Sequence, residues 1–267
     1  MMRVKGAFLR SFIKIAGVLL LFTGIIAARI YLFDIYKVPS YSMEPAIIPG
    51  DYVLVSKIRY GPRVINVGKL IFRHELEYKW HRRSRKPQKN EIIVFNRPEY
   101  ERISDNLNAT IGPVLVKRIS GMPGESVRIE RAGMDRSYSN VFPFDTSLHW
   151  AVDHYGPLYV PRKGDTLELS GVNRLHYGSI ITLDCVMAGD KGIQGGILKQ
   201  NVTIHCFRFN YYFVTGDNFY MSADSRHWGF VPETHIIGKA TRVLFSIDRV
   251  ATWNKRFRWD RFMKRLE

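Results

Sequence analysis

Ser42 stands in the segment Val38-Pro39-Ser40-Tyr41-Ser42-Met43-Glu44-Pro45, between two prolines whose rings restrict the local backbone. A rigid, outward-facing serine is what nucleophilic attack on a carbonyl requires, although a turn serine beside proline is the plainer reading of this segment by itself. Such a nucleophile needs a base to take its proton. Lys117 closes the apolar run Val114-Leu115-Val116, and strand alternation places it on one sheet face with Leu115 and Ile119. A lysine so placed is either an edge residue that snorkels to water or a desolvated amine of lowered pKa. Only the second can act as a general base.

Other constellations are absent from the sequence. There is no G-x-S-x-G elbow, no H-E-x-x-H pair and no P-loop. The eight histidines are scattered without ligand spacing, and His227 has a cationic neighbour, Arg226, that disfavours its protonated form. Cys185 and Cys206 are too few for a disulfide scaffold or a four-thiolate zinc site, and one bridge or two thiols both remain open. Neither a metal nor a cofactor is expected.

The elements that must carry Ser42 and Lys117 begin with an anchor. Forty Lys+Arg against 24 Asp+Glu give the 267-residue chain a formal charge of +16, with 46% hydrophobic residues excluding wholesale disorder. The excess is local. Residues 1–14 hold Arg3, Lys5, Arg10 and Lys14 with no acid, residues 57–89 hold eleven basic side chains against Glu75 and Glu77, and residues 250–267 hold six against Asp260 and Glu267. The remaining body is close to neutral. After the first patch comes an apolar stretch, and counting Phe12 to Phe33 gives 22 residues, about 33 Å of helix, enough to cross a bilayer. A cleaved secretory signal is the competing reading, because the uninterrupted core Ile15–Ala28 is short and ends in small residues. The cationic flank predicts a cytoplasmic N-terminus and an extracytoplasmic body.

Beyond the anchor the chain reads as β. Segments rich in β-branched and aromatic residues fall at Asp51–Val55, Glu91–Phe95, Val114–Ile119, Ser126–Ile129, Thr166–Leu169, Ile180–Leu183, Val202–Phe207, Tyr211–Thr215 and Gly238–Ile247. Turn clusters such as Pro49-Gly50, Met122-Pro123-Gly124 and Gly216-Asp217-Asn218 separate them. No long amphipathic helix is expected between them. The expected fold is mainly β: an N-terminal transmembrane helix, then an antiparallel β-sheet catalytic domain with an inserted β subdomain.

Four segments together resemble the successive boxes of the bacterial type I signal peptidases, in that family's order and after an N-terminal anchor. They are Pro39–Lys57 (PSYSMEPAIIPGDYVLVSK), Glu91–Phe95 (EIIVF), Lys117–Glu125 (KRISGMPGE) and Thr215–Pro232 (TGDNFYMSADSRHWGFVP). The resemblance implies Ser42 as nucleophile and Lys117 as general base. It implies that Ser40, with the backbone N–H of Ser42, forms the oxyanion hole, and that Ser222 hydrogen-bonds and orients the lysine. Asp217, Asp224 and Arg226 match residues that hold the site together through ion pairing. Two positions depart from the family pattern: Asn90-Glu91 stands where Gly-Asp is usual, and Phe219 where Arg often follows Gly-Asp-Asn. Both put supporting ion pairs in doubt, not the dyad.

The implied organisation is a cytoplasmic N-terminus at 1–11, an anchor at 12–33, a catalytic domain at 34–129 and 206–250, and an inserted subdomain at 130–205. The basic stretch 57–89 reads as an insertion, either a headgroup contact or a solvated hairpin. In 251–267, a helical projection groups Trp259, Phe262, Met263 and Leu266 among cations, which suits a helix lying in an anionic interface or one packed on the body. The implied partners are signal peptides of exported preproteins and membrane lipids, with no nucleic acid and a monomeric chain in a bacterial plasma membrane. A dedicated serine–lysine maturation peptidase, or a non-catalytic membrane-bound interaction module, are the rival readings.

Overall fold

The computed structural model describes residues 2–61, 63–65, 78–80, 85–99, 111–131, 141–188, 193–194, 197–198 and 203–267. Helix α1, Met2–Tyr31, carries the apolar stretch, and within it Phe12–Tyr31 is long and apolar enough to cross a membrane, with no residue of that window buried. The helix stops before Phe33, which the anchor count had included: Phe33–Lys37 is strand β1, paired antiparallel with β2, Asp51–Ser56. Lys57, just past β2, clamps this junction. Its ammonium donates to the Arg29 carbonyl at 2.9 Å and to Asp34 at 3.1 Å, capping a carbonyl that the helix end leaves unsatisfied.

The strands continue as β3, Arg63–Ile65, with β4, Tyr78–Trp80; then β5, Ile92–Pro98, and β6, Ile111–Gly121. Next come β7, Ser126–Glu130, β8, His154–Tyr159, β9, Thr166–Glu168, and helix α2, Gly171–Ala188. The pair β10, Ile193–Gln194, and β11, Ile197–Leu198, leads to β12, Ile204–Cys206, and β13, Tyr211–Thr215. The chain closes with the one-turn helix α3, Ser225–Trp228, then β14, Val231–Pro232, and β15, Ile236–Ser246. Seven strands form one sheet in the order β1-β2-β15-β5-β6-β13-β14, and every neighbouring pair is antiparallel. The mainly β, antiparallel expectation therefore holds.

Alternation explains the two cores of this sheet. Val53, Val55, Ile92, Val94, Ala240 and Val243 bury on one face, covered by Val38, Met43, Ile47 and Leu266. Ile93, Phe95, Ile119, Val214 and Ile236 bury on the other. A third core joins the hairpin of β7 and β8 to α2 through Val127, Leu158, Tyr177, Ile180 and Ile181, and meets the sheet at Phe213 and Phe230. Cys185 is buried and Cys206 exposed, and they form no disulfide with each other.

Two local expectations are corrected. Ile180–Leu183, read as a strand, lies inside the 18-residue helix α2, so the stretch 130–205 contains a long helix. Its β-branched run suggested a strand, but the helix buries the unbroken run Ile180–Cys185 together with His176 and Tyr177 a turn earlier, so no one-sided period marks it in the sequence. The C-terminal stretch is not a helix. It forms two short 3₁₀ turns, Trp253–Lys255 and Trp259–Arg261, and bridges back to the sheet at Ile247–Phe257 and Arg242–Arg265. Of its expected stripe, Leu266 is buried in the sheet core whereas Trp259, Phe262 and Met263 are exposed. Most of the basic stretch 57–89 lies outside the described residues.

Candidate active site

Ser42 owes its position to the two residues that flank its turn on the core side. Met43 and Ile47 are buried on the sheet, and the backbone between them closes with Ile47 N–H donating to the Met43 carbonyl at 2.9 Å. This holds the serine at the inner edge of the segment, only 8% exposed. Lys117 comes from the middle of β6, where Leu115, Lys117, Ile119 and Gly121 alternate inward and Lys117 itself is 3% exposed. The strand and the turn bring the two side chains together: Lys117 Nζ donates to Ser42 Oγ at 2.6 Å across 75 residues of sequence.

Burial disfavours the ammonium, and it is the largest influence on Lys117. Asp224 and Asp217 pull the other way and Arg226 adds to the burial effect, leaving the pKa lowered to about 8. Near neutrality an appreciable fraction of the amine is then unprotonated, and the same contact can run in reverse, with Ser42 donating to nitrogen. The snorkelling alternative for Lys117 is excluded by its burial.

Ser40 Oγ lies 3.3 Å from Ser42 Oγ, and either hydroxyl can donate. Ser222 is buried, and its Oγ has no hydrogen-bond partner among the described residues, so the bond to the lysine that the resemblance implies is not formed here. It packs against Gly216 beside the Ser42 carbonyl. A Cβ at Gly216 would collide with both the Ser222 hydroxyl and that carbonyl, so only glycine lets these chains approach. Asn218 N–H donates to the same carbonyl at 3.1 Å, which ties the Ser42 backbone to the loop after β13.

Asp217, Asp224 and Arg226 are all placed around this junction. Asp217 accepts two parallel bonds from Arg118, at 2.7 and 2.8 Å, the fork geometry that suits guanidinium and carboxylate. Asp224 caps α3 and accepts from Arg226 at 2.8 Å, both side chains fully buried. Burial alone would raise the Asp224 pKa, but the bonds from Arg226, His227 and the Gly216 N–H outweigh it and hold the carboxyl well below its usual range.

Both departures from the box pattern are filled by other contacts. Glu91 accepts from Lys239 at 2.8 Å and from the Tyr60 hydroxyl at 2.5 Å. Burial would raise its pKa, but these bonds and the Gln88 N–H lower it. Phe219 presents its ring to two guanidinium groups, Arg226 at 3.9 Å and Arg131 at 4.1 Å, and its carbonyl accepts from Arg226 at 2.6 Å. Tyr60, Lys239, Arg118 and Arg131 were not foreseen as supports. Of these, only Arg118 carried a signal, being the Arg of the Lys-Arg pair in the lysine box. Among the described residues, no cluster of three or more His, Cys, Asp or Glu could hold a metal.

The chain's sequence matches a family model described as "Signal peptidase, peptidase S26" over residues 9–140 and 197–245. Curated proteins named signal peptidase I are also similar. One from Buchnera aphidicola of Acyrthosiphon pisum is 26% identical over 92% of this chain and 77% of its own length. One from Haemophilus influenzae is 28% identical over 90% and 71%, and one from Aquifex aeolicus 24% identical over 87% and 84%. The chain belongs to the signal peptidase family, and is a serine endopeptidase whose family supports the removal of signal peptides.

Proposed function

We propose that this chain removes N-terminal signal peptides from exported preproteins with Ser42 as nucleophile and Lys117 as general base. The observation that carries the proposal is the 2.6 Å contact between a buried lysine amine and a buried serine hydroxyl. Ser42 Oγ attacks the scissile carbonyl carbon while the neutral amine of Lys117 takes its proton. The tetrahedral oxyanion is received by the Ser42 N–H and the Ser40 hydroxyl. Lys117 then returns the proton to the leaving amine, and a water activated by the same lysine hydrolyses the ester. The uncommitted Ser222 hydroxyl is available to hold the amine in line, and Asp217, Asp224 and Arg226 keep the Gly216–Ser222 loop in place.

The substrate's approach follows from the sheet. Among the described residues β6 pairs with β13 only through Arg118–Gly121, and its edge over Val114–Lys117 has no strand partner on that side. An extended peptide can add there as a strand. Leu115, Val116, Val38 and Met43 surround that edge with apolar side chains, which suits small apolar residues ahead of the scissile bond and excludes bulk by overlap.

Phe12–Tyr31 acts as a single-pass anchor with the N-terminus cytoplasmic and the body outside the membrane. Exposed Trp253, Trp259, Phe262 and Met263, set among basic residues, suit contact with anionic lipid. Residues 34–129 and 206–250 form the catalytic unit and 130–205 the insert, in a monomeric protein. The test is processing of a preprotein with alanine at the two specificity positions, one and three residues before the cut. Phe at either position should stop cleavage, and efficient cleavage of both Phe substrates would reject the reading.

A further inference from the structure

A cleft of about 810 Å³ opens between β6, β7 and the loop after β13, with Gly216 in its lining. Pro45 and Ala46, which follow the nucleophile, form one wall, and Phe219 and Arg131 stand in another. Its lining differs from the apolar edge at Val114–Val116. It is charged, and the charges do not cancel. Arg118 is neutralised by its two bonds to Asp217, and Arg128 by Glu130 at 2.8 Å. Two cations remain, Arg131 and Lys264, both exposed and both without a carboxylate at ion-pair distance among the described residues. Arg131 is nevertheless held: its N–H donates to the Asp153 carbonyl at 2.9 Å and its guanidinium rests on the Phe219 ring, which buried Arg226 also contacts. A positioned cation beside an open cleft is an anion-recognition device.

We propose that this cleft is the subsite for the first residues of the mature protein, and that Arg131 and Lys264 make it prefer acidic side chains two to four positions after the scissile bond. The proposal rests on the Ser42–Lys117 reading. Gly216 packs against the Ser42 carbonyl and also lines the cleft, so a peptide laid along the β6 edge and past the dyad can continue into it. The apolar half of that path fits the signal side. The cationic half fits a polar mature segment, and favours negative charge over positive. Partly exposed pairs of this kind are modest and salt-sensitive. The expected preference for acidic over basic residues is therefore about 3- to 10-fold in kcat/KM at low ionic strength.

The experiment uses three preproteins with one signal peptide and one cleavage junction, carrying Asp-Asp, Asn-Asn or Lys-Lys at the second and third mature positions. The wild-type full chain should cleave them in the order Asp, Asn, Lys, with the spread narrowing as salt rises. In the double variant Arg131→Glu, Lys264→Glu the Asp-to-Lys ratio should invert. The ratio is the readout because a general loss of activity cancels from it. Arg131→Gln with Lys264→Gln, a milder change, should bring the ratio close to one. Equal cleavage of the three substrates by wild type, or a ratio that both double variants leave unchanged, overturns the subsite alone. Failure of wild type to cleave even the Asn-Asn substrate overturns the peptidase reading on which it stands.

Discussion

Under the proposed mechanism Lys117 carries the most demanding chemistry. A free lysine titrates near 10.5 and could not accept a proton at neutral pH, so the site depends on burial to bring it to about 8. Two consequences follow. Log kcat/KM should rise with a slope near one from acid pH to about 8 and then level off, because only the neutral amine is a base. Lys117 titrates lower in the folded chain than in the unfolded one, so between about 8 and 10.5 the unfolded chain binds the extra proton. The buried ammonium thus costs stability below pH 8, by about 3 kcal/mol, and the cost disappears as pH rises through that window. Denaturation free energies of wild type and Lys117→Met, compared from pH 7 to 10.5, should show this gain only in the wild type. A flat pH–rate profile would remove Lys117 from the mechanism.

At the scale of elements, the C-terminal segment gives the sharpest lesson. Its cations looked like the polar face of an interfacial helix, yet Arg261 is buried against Asp51, with bonds of 2.5 to 3.2 Å, and donates to the Ala46 carbonyl beside the nucleophile turn at 2.9 Å. Arg258 likewise donates to Pro49 and Asp248. These arginines fasten the tail to the turn that holds Ser42. Arg261→Ala would leave the Asp51 carboxylate buried and unpaired. It should cost about 3–5 kcal/mol of stability in urea denaturation, and a loss below about 1 kcal/mol would show the pair to be incidental. The strands at Asp51, Val114 and Tyr211 were legible because alternation and turn residues agree with their tertiary setting. Other elements were not, β1, β8 and α2 among them. β1 was hidden because Phe33 continues the apolar run of α1, β8 because Gly156-Pro157 reads as a turn, and α2 because Ile180-Ile181-Thr182 favours a strand and the buried run Ile180–Cys185 shows no one-sided period. The candidate site was more legible than the fold. Ser42, Lys117 and the Asp224–Arg226 pair sit in short boxes, whereas Tyr60, in the turn after β2, and Lys239, on β15, reach Glu91 from distant positions that no local pattern connects to it.

The whole molecule couples a membrane-length helix to a catalytic sheet through a short junction. β1 begins two residues after α1 ends, and Lys57 ties that junction to β2. Ser42 follows β1 by five residues, so it is held close to the helix end, which under the proposed function is where a membrane-tethered substrate emerges. Protease added to sealed spheroplasts should therefore digest the body, while sealed inverted vesicles should protect it. A soluble product beginning near residue 29 would show instead that α1 is a cleaved signal. The central claim is that Ser42 and Lys117 together perform signal-peptide cleavage, and single-turnover processing of one preprotein by wild type, Ser42→Ala and Lys117→Arg tests it most directly. Both variants should remain folded, and each should lose more than about a hundredfold in rate, since alanine has no nucleophile and arginine cannot give up its proton. Processing by either folded variant at more than about a hundredth of the wild-type rate would contradict the account.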